Sequence, residues 1–313
     1  MRLPVFFDNP AAVRYDGKIM LESRLHKTRI KYITAVVLYG TIGMFLRHVS
    51  LPSELVAMCR GSIGFVFLLL FLRAGKIAID REAIRNNRRL LLISGILLGL
   101  NWIFLFAAYM HTTVAIASLC NYTAPVIVVL VAPLLLKERT PVKKLAFLFL
   151  AFFGIVLVSG VTDGGDVNLF GVFMGFAAAL MFTCIVLCNR SMKEIGPYEK
   201  ALVQLPVSAV TILPWFLFHN RGVALAVDVR SILIVLMLGI VHTGFAYCLY
   251  FDGMSNLPVQ EVAVLGYLEP VVSVLCSAFF LQEPLSFAGW IGAALVILSS
   301  LLCEVIPDTM SSG

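Results

Sequence analysis

Tyr122-Thr123-Ala124-Pro125-Val126 and Tyr267-Leu268-Glu269-Pro270-Val271 lie 145 residues apart and open two stretches that match in register. With residues 122–138 laid over 267–283, seven of seventeen positions are identical: Tyr122/Tyr267, Pro125/Pro270, Val126/Val271, Val129/Val274, Leu130/Leu275, Leu136/Leu281 and Glu138/Glu283. Shared aliphatic residues follow easily from composition. Tyr, Pro and Glu held in one register do not, so the chain reads as an internal repeat.

The surroundings say what kind of repeat. Of 313 residues, 60% are hydrophobic and 13% charged, with mean hydropathy +0.96. Ordinary soluble domains are about 45–50% apolar and about 25% charged. One soluble core of this size cannot hide so much apolar surface. That excludes a cytosolic enzyme, a disordered chain, a disulfide-rich secreted module and a nucleic-acid binder. The seven cysteines all fall in apolar stretches and form no CxxC, so neither a metal site nor a cofactor is expected.

A spanning helix needs about twenty largely apolar residues. Ten segments qualify: 32–49, 53–72, 90–110, 112–136, 143–161, 168–188, 199–218, 231–251, 258–281 and 285–304. Twenty of the 24 lysines and arginines then fall before the first segment, in the 2–3, 4–5 and 6–7 loops, or within two residues of those loops, all on one face. By the positive-inside rule that face is cytoplasmic, together with both termini. Residues 1–31 are expected to form a basic cytoplasmic arm rather than a leader, and 306–313 a cytoplasmic tail.

The repeat relates segment 4 to segment 9, so 32–161 and 162–305 each hold five helices. Five is odd, so the second half must sit inverted relative to the first. The expected fold is an all-α membrane protein of ten transmembrane helices in two inverted five-helix repeats, a recurring design of secondary transporters. Pro125 and Pro270 are expected near the middle of their helices, where each frees a backbone carbonyl. Matched breaks of this kind point to a binding site or to a pair of packing kinks.

The tract from Thr112 to Gly160, with Pro125 and its Lys137-Glu138-Arg139 exit, resembles the EamA-type repeat of the drug/metabolite transporter superfamily. Tyr267 to Val271, followed by Gln282-Glu283-Pro284, resembles its second copy, and Arg60 sits where many relatives carry an Arg. The resemblance implies a ten-helix inverted-repeat fold, alternating access, and export or exchange of small metabolites, often amino acids. The basic arm is longer than the family's pattern, and the second half has no counterpart of Arg60.

Ionisable groups at membrane depth are costly, about 2.5–3.5 kcal/mol on insertion scales, and suggest function. Glu269 is the sharpest case: a carboxyl that binds a substrate amine or takes up a proton, or one held by Arg60 or a free amide to fix packing. Arg60 suits a substrate carboxylate, or equally an outward snorkel or an internal partner such as Glu54 or Glu269. His242 is a second candidate for proton coupling, or a histidine bonded to a neighbouring helix. Tyr39, Asn101, Trp102, Tyr122 and Tyr267 complete the candidate substrate site, with Tyr109, Asn121, Tyr247 and Tyr250 as further lining groups. Gly95-x-x-x-Gly99 and Gly171-x-x-x-Gly175 read as close-packing motifs. Glu138 and Glu283 read as caps of the helix that follows each.

These residues favour a secondary active transporter, not an enzyme, for a small metabolite such as an amino acid, amine or related compound. Its expected partners are that substrate, the lipid bilayer and a proton as candidate coupling ion, and its expected place is the plasma membrane. The alternatives are an intramembrane lipid-modifying enzyme or protease, and a sugar-phosphate or nucleotide-sugar exchanger of the same superfamily. The enzyme lacks a nucleophile–base pattern such as GxSxG. The exchanger would need more cations than Arg60 supplies.

Overall fold

Apolar runs punctuated by caps dictate helices, and helices are the only regular elements among the described residues. The computed structural model describes residues 10–124, 127–128, 142–158, 168–219, 227–257, 265–283 and 285–305. The helices are α1 (Pro10–Leu46), α2 (Ser53–Ala74), the short α3 (Arg81–Asn86), α4 (Arg88–His111), α5 (Val114–Asn121) and α6 (Val142–Val158). After them come α7 (Leu169–Ser191), α8 (Pro197–His219), α9 (Val229–Gly239), α10 (Ala246–Asn256), α11 (Leu268–Leu275) and α12 (Phe287–Val305). Two π-helical segments, Ile240–Phe245 and Cys276–Phe280, join α9 to α10 and extend α11. Polar side chains satisfy several first-turn amides: Asp80 starts α3, Thr113 α5, Asn168 α7 and Asp228 α9.

Among the described residues, six helical stretches are long and apolar enough to cross a membrane: Leu25–Leu46, Ser53–Ala74, Arg88–His111, Leu169–Ser191, Pro197–Phe218 and Val229–Gly253. Phe149–Val158, Leu268–Phe280 and Phe287–Ser299 are shorter apolar helices. Large side chains such as Phe149, Phe173, Phe218 and Phe279 stand on the outside, as lipid-facing surfaces require.

Three features add to the sequence reading or depart from it. The expected arm is helical from Pro10 and runs unbroken into the first span, because residues 10–31 are rich in helix formers. The fourth expected segment is helical over Val114–Asn121 and turns at Tyr122–Thr123; Pro125 and Glu138 lie outside the described residues. The ninth breaks at Tyr267, and Pro270 stands in the first turn of α11 rather than in mid-helix. A first-turn N–H has no intrahelical partner to lose, so proline is tolerated there.

Elements of the two halves interleave. α4 packs along α7 and α8, α2 along α8 and the first π segment, and α1 along α10 and α11, while α6 pairs with α12. The glycine motifs make two of these contacts close. A Cβ added at Gly99 would lie 2.8 Å from the Ser208 carbonyl of α8, and one at Gly175 would lie 2.6 Å from Cys120 Cβ of α5. The main core, from Val56 and Leu68 through Trp102 and Phe106 to Leu205 and Leu238, fills the space between α2, α4, α8 and α9.

Candidate functional site

Arg60 projects from α2 into the centre of the bundle and is only 5% exposed. Its Nε donates to Thr243 Oγ1 at 2.8 Å, and its guanidinium carbon lies 4.6 Å from the Trp102 ring centre and 5.8 Å from that of Phe106. Trp102 and Phe106 are one turn apart on α4, so both rings face one neighbour. Thr243 is aimed by the π segment, where its own hydroxyl donates to the Leu238 carbonyl five residues back at 2.9 Å. π segments are frequent at functional sites because one extra residue per turn re-aims side chains. Among the described residues Arg60 forms no ion pair, and its two terminal NH2 groups make no hydrogen bond.

Glu269, in the first turn of α11, is half-buried, and the Tyr122 hydroxyl lies close enough to its carboxyl to interact with it. It lies within electrostatic reach of Arg60, Tyr39, Tyr109 and Tyr247. The two charges are thus neighbours with no ion pair between them among the described residues. α1 closes in tightly, because a Cβ at Gly40 would stand 2.6 Å from the Glu269 carbonyl oxygen.

Aromatic rings complete the wall. Tyr39 stands edge-on to Tyr247 at 5.9 Å and tilted to Tyr250 at 5.7 Å, and its hydroxyl is buried with no hydrogen-bond partner among the described residues. Tyr39, Tyr122, Tyr247, Tyr250 and Glu269 are only partly buried. Trp102 and Tyr247 are also 145 residues apart, as are Phe106 and Phe251 and, one turn before, Gly99 and Gly244. The repeat therefore sets an aromatic residue on each side of the site, while Arg60 and Glu269 stand opposite Leu205 and Ala124 in the same register.

Other predicted residues serve different ends. Asn101 donates to the Ala178 carbonyl at 2.8 Å and to Asn121 Oδ1 at 3.3 Å, which ties α4 to α7 and α5. His242 is buried beside Thr41 Oγ1 at 3.0 Å and meets the Phe45 ring at 5.3 Å; it faces α1 rather than the carboxyl. Tyr267 is buried in the turn before α11. Thr243 and Phe106 went unpredicted. Phe106 was signalled by its spacing from Trp102, whereas a π register leaves no trace in spacing.

The apolar spans and a buried arginine beside a carboxyl and aromatic rings are what a membrane transporter would need. The sequence pattern of the EamA-like transporter family matches residues 29–160 and again residues 169–304, and the chain belongs to that family. It is 26% identical to YxxF, an uncharacterised transporter of Bacillus subtilis, over 80% of this chain and 81% of that protein. It is also 28% identical to the aromatic amino acid exporter YddG of Salmonella typhimurium, over 63% of this chain and 69% of the exporter. In fold it resembles a crystal structure with a TM-score of 0.62 that covers 89% of this chain and 97% of the other; at 20% identity that likeness is one of fold alone.

Proposed function

We propose that the chain is a secondary active transporter of a small zwitterionic metabolite, an amino acid or close relative, working by alternating access as an exporter or exchanger in the plasma membrane. The carrying observation is the unbonded neighbourhood of Arg60 and Glu269 inside an aromatic wall. A guanidinium with both NH2 groups free suits a carboxylate. A carboxyl some distance away suits an ammonium, and the rings suit an apolar or aromatic body. Proton uptake at Glu269, with His242 as the second candidate, would couple transport to the pH gradient.

Architecture supports the reading. The two stretches matched by the family pattern and the matched Trp102/Tyr247 and Phe106/Phe251 positions fit two inverted five-helix repeats, 32–161 and 162–305, with both termini cytoplasmic. Inverted halves around a midplane site are the usual basis of alternating access.

Thermal stability of the purified protein tests the substrate class. The probes are L-tryptophan, its amine analogue tryptamine, its acid analogue indole-3-acetate, and glucose 6-phosphate. A ligand at about 100 times its Kd adds roughly 2.7 kcal/mol. The zwitterion should stabilise most and each half-analogue less. Stabilisation by the sugar phosphate alone would replace this reading with a phosphate exchanger.

A further inference from the structure

The end of the bundle beyond Tyr122 and Glu269 carries a polar cluster that the proposed site does not use. Arg47, the residue after α1, donates from one terminal nitrogen to the Thr112 carbonyl at 2.5 Å and to Glu283 Oε1 at 2.7 Å. Glu283 Oε2 accepts the Val114 amide at 3.0 Å and the Ser277 hydroxyl at 2.6 Å. The sequence led us to expect Glu283 to cap the helix that follows it. Instead it caps α5, in the other half, because that helix begins beside it in space.

One carboxylate therefore joins three elements: the end of α1, the first residue of α5, and the π segment that ends α11. A second layer lies one step inward. Ser118 of α5 meets Ser273 of α11 at 2.5 Å and the Tyr109 hydroxyl at 3.3 Å, and all three are buried. Beyond that layer stand Tyr122 and Glu269. The same end also holds Ser50 against Ser231 and Asp228, whereas the Asn87–Lys193 contact marks the opposite end.

The cluster closes this end, yet it is not fully satisfied. Arg47 Nε is buried without a partner among the described residues. An unmet buried donor costs about 1–3 kcal/mol, which offsets part of the ion pair and leaves the contact easier to part than a saturated one. Three of its bonds cross from residues before 161 to residues after 162: Arg47 to Glu283, Val114 to Glu283, and Ser118 with Ser273.

We propose that the Arg47–Glu283 pair is a latch that shuts this end of the bundle over the Arg60–Glu269 site and opens when the protein turns to face the other side. The proposal rests on the transporter reading above. It makes Arg47 and Glu283 gating residues that never touch substrate.

The test is chemical access to position 273. Ser273→Cys is introduced, and its modification by a membrane-impermeant maleimide is followed by tandem mass spectrometry in right-side-out and in inside-out vesicles. With the latch intact, modification is slow from the latch side. Arg47→Gln or Glu283→Gln should raise that rate on the order of tenfold, which is about 1.4 kcal/mol of lost pairing, and should do so from one side only. Arg47→Lys, which keeps the charge and perturbs folding least, should give a smaller rise. The double variant should match the single variants, because both remove one interaction.

Fast modification with both residues intact, no rise in any variant, or a rise in the double variant equal to the product of the singles would each overturn the latch. The two readings fail separately. If L-tryptophan counterflow is present but access is unchanged, the latch alone falls. If access changes as stated but no probe is carried, the transport reading alone falls.

Discussion

Replacing Arg60 by Met separates its place in the fold from its place in the site. Met keeps the apolar stem and much of the volume, and removes the charge. Lost with the guanidinium are the bond to Thr243, about 1.5–3 kcal/mol as a charge-assisted bond, and the stacking on Trp102, about 2 kcal/mol when desolvated. Against this, the cost of keeping a charge out of water, several kcal/mol per ion, disappears. Thr243 is not orphaned, because its hydroxyl already donates to the Leu238 carbonyl. These terms nearly cancel, so the melting temperature should move by no more than a few degrees. Binding behaves otherwise. A carboxylate gripped by two free NH2 groups gives up about 1.5–3 kcal/mol, roughly a 10- to 150-fold weaker Kd. Isothermal titration with L-tryptophan and with tryptamine reads this directly: the first affinity should fall by that factor and the second should not fall. If folded Arg60→Met protein keeps the ratio of the two affinities, Arg60 does not hold a carboxylate and the reasoning is refuted.

Other consequences follow from close contacts and caps. Gly40→Ala places a methyl group 2.6 Å from the Glu269 carbonyl and should cost about 1–3 kcal/mol by overpacking, seen as a lower melting temperature; an unchanged value would mean that α1 is free to shift there. Thr243→Val should weaken L-tryptophan binding while Thr243→Ser restores it, because Arg60 needs the hydroxyl rather than the methyl; equal loss in both would remove Thr243 as a positioning residue. Hydrogen bonds from Ser231, with a further one from Ser50, hold the Asp228 carboxyl below the usual carboxylate range. Its folded-state value is lowered, so its stabilising effect is full above the unfolded value near 3.9 and fades as pH falls through the folded one. The melting-temperature gap between the native protein and Asp228→Ala should therefore be constant above about pH 5 and shrink below about pH 4. A gap that persists at the acid end would contradict this assignment.

Much of the fold was legible because membrane helices must satisfy their backbone internally and declare themselves as long apolar runs. Gly95, Gly99, Gly171 and Gly175 announced close contacts by spacing alone, and the structure places helices against them. Charge and aromatic rings at membrane depth single out Arg60, Trp102, Glu269, Tyr39 and Tyr122 in the sequence, and the structure brings them near one another. What escaped depends on register or on distance along the chain. Pro270 suggested a break at itself, yet the chain breaks at Tyr267, where a turn lets proline sit in a first turn. Thr243 becomes Arg60's partner only because a π segment rotates it inward. Glu283 looked local, but its acceptor bonds reach an amide 169 positions away. No spacing rule connects Arg47 to Thr112 and Glu283; only the packed bundle does.

Counterflow in proteoliposomes tests the central claim most directly. Vesicles loaded with unlabelled L-tryptophan are diluted into trace radiolabelled L-tryptophan, with native protein, Glu269→Gln and Arg60→Met side by side. Glutamine keeps an acceptor for Tyr122 and loses the charge. Alternating access around the Arg60–Glu269 pair predicts a transient overshoot of label in the native protein, and an overshoot that is lost or no longer depends on pH in Glu269→Gln. Monotonic entry without an overshoot would indicate a passive pore. An unchanged, equally pH-dependent overshoot in well-folded Glu269→Gln would show that the carboxyl takes no part in the cycle.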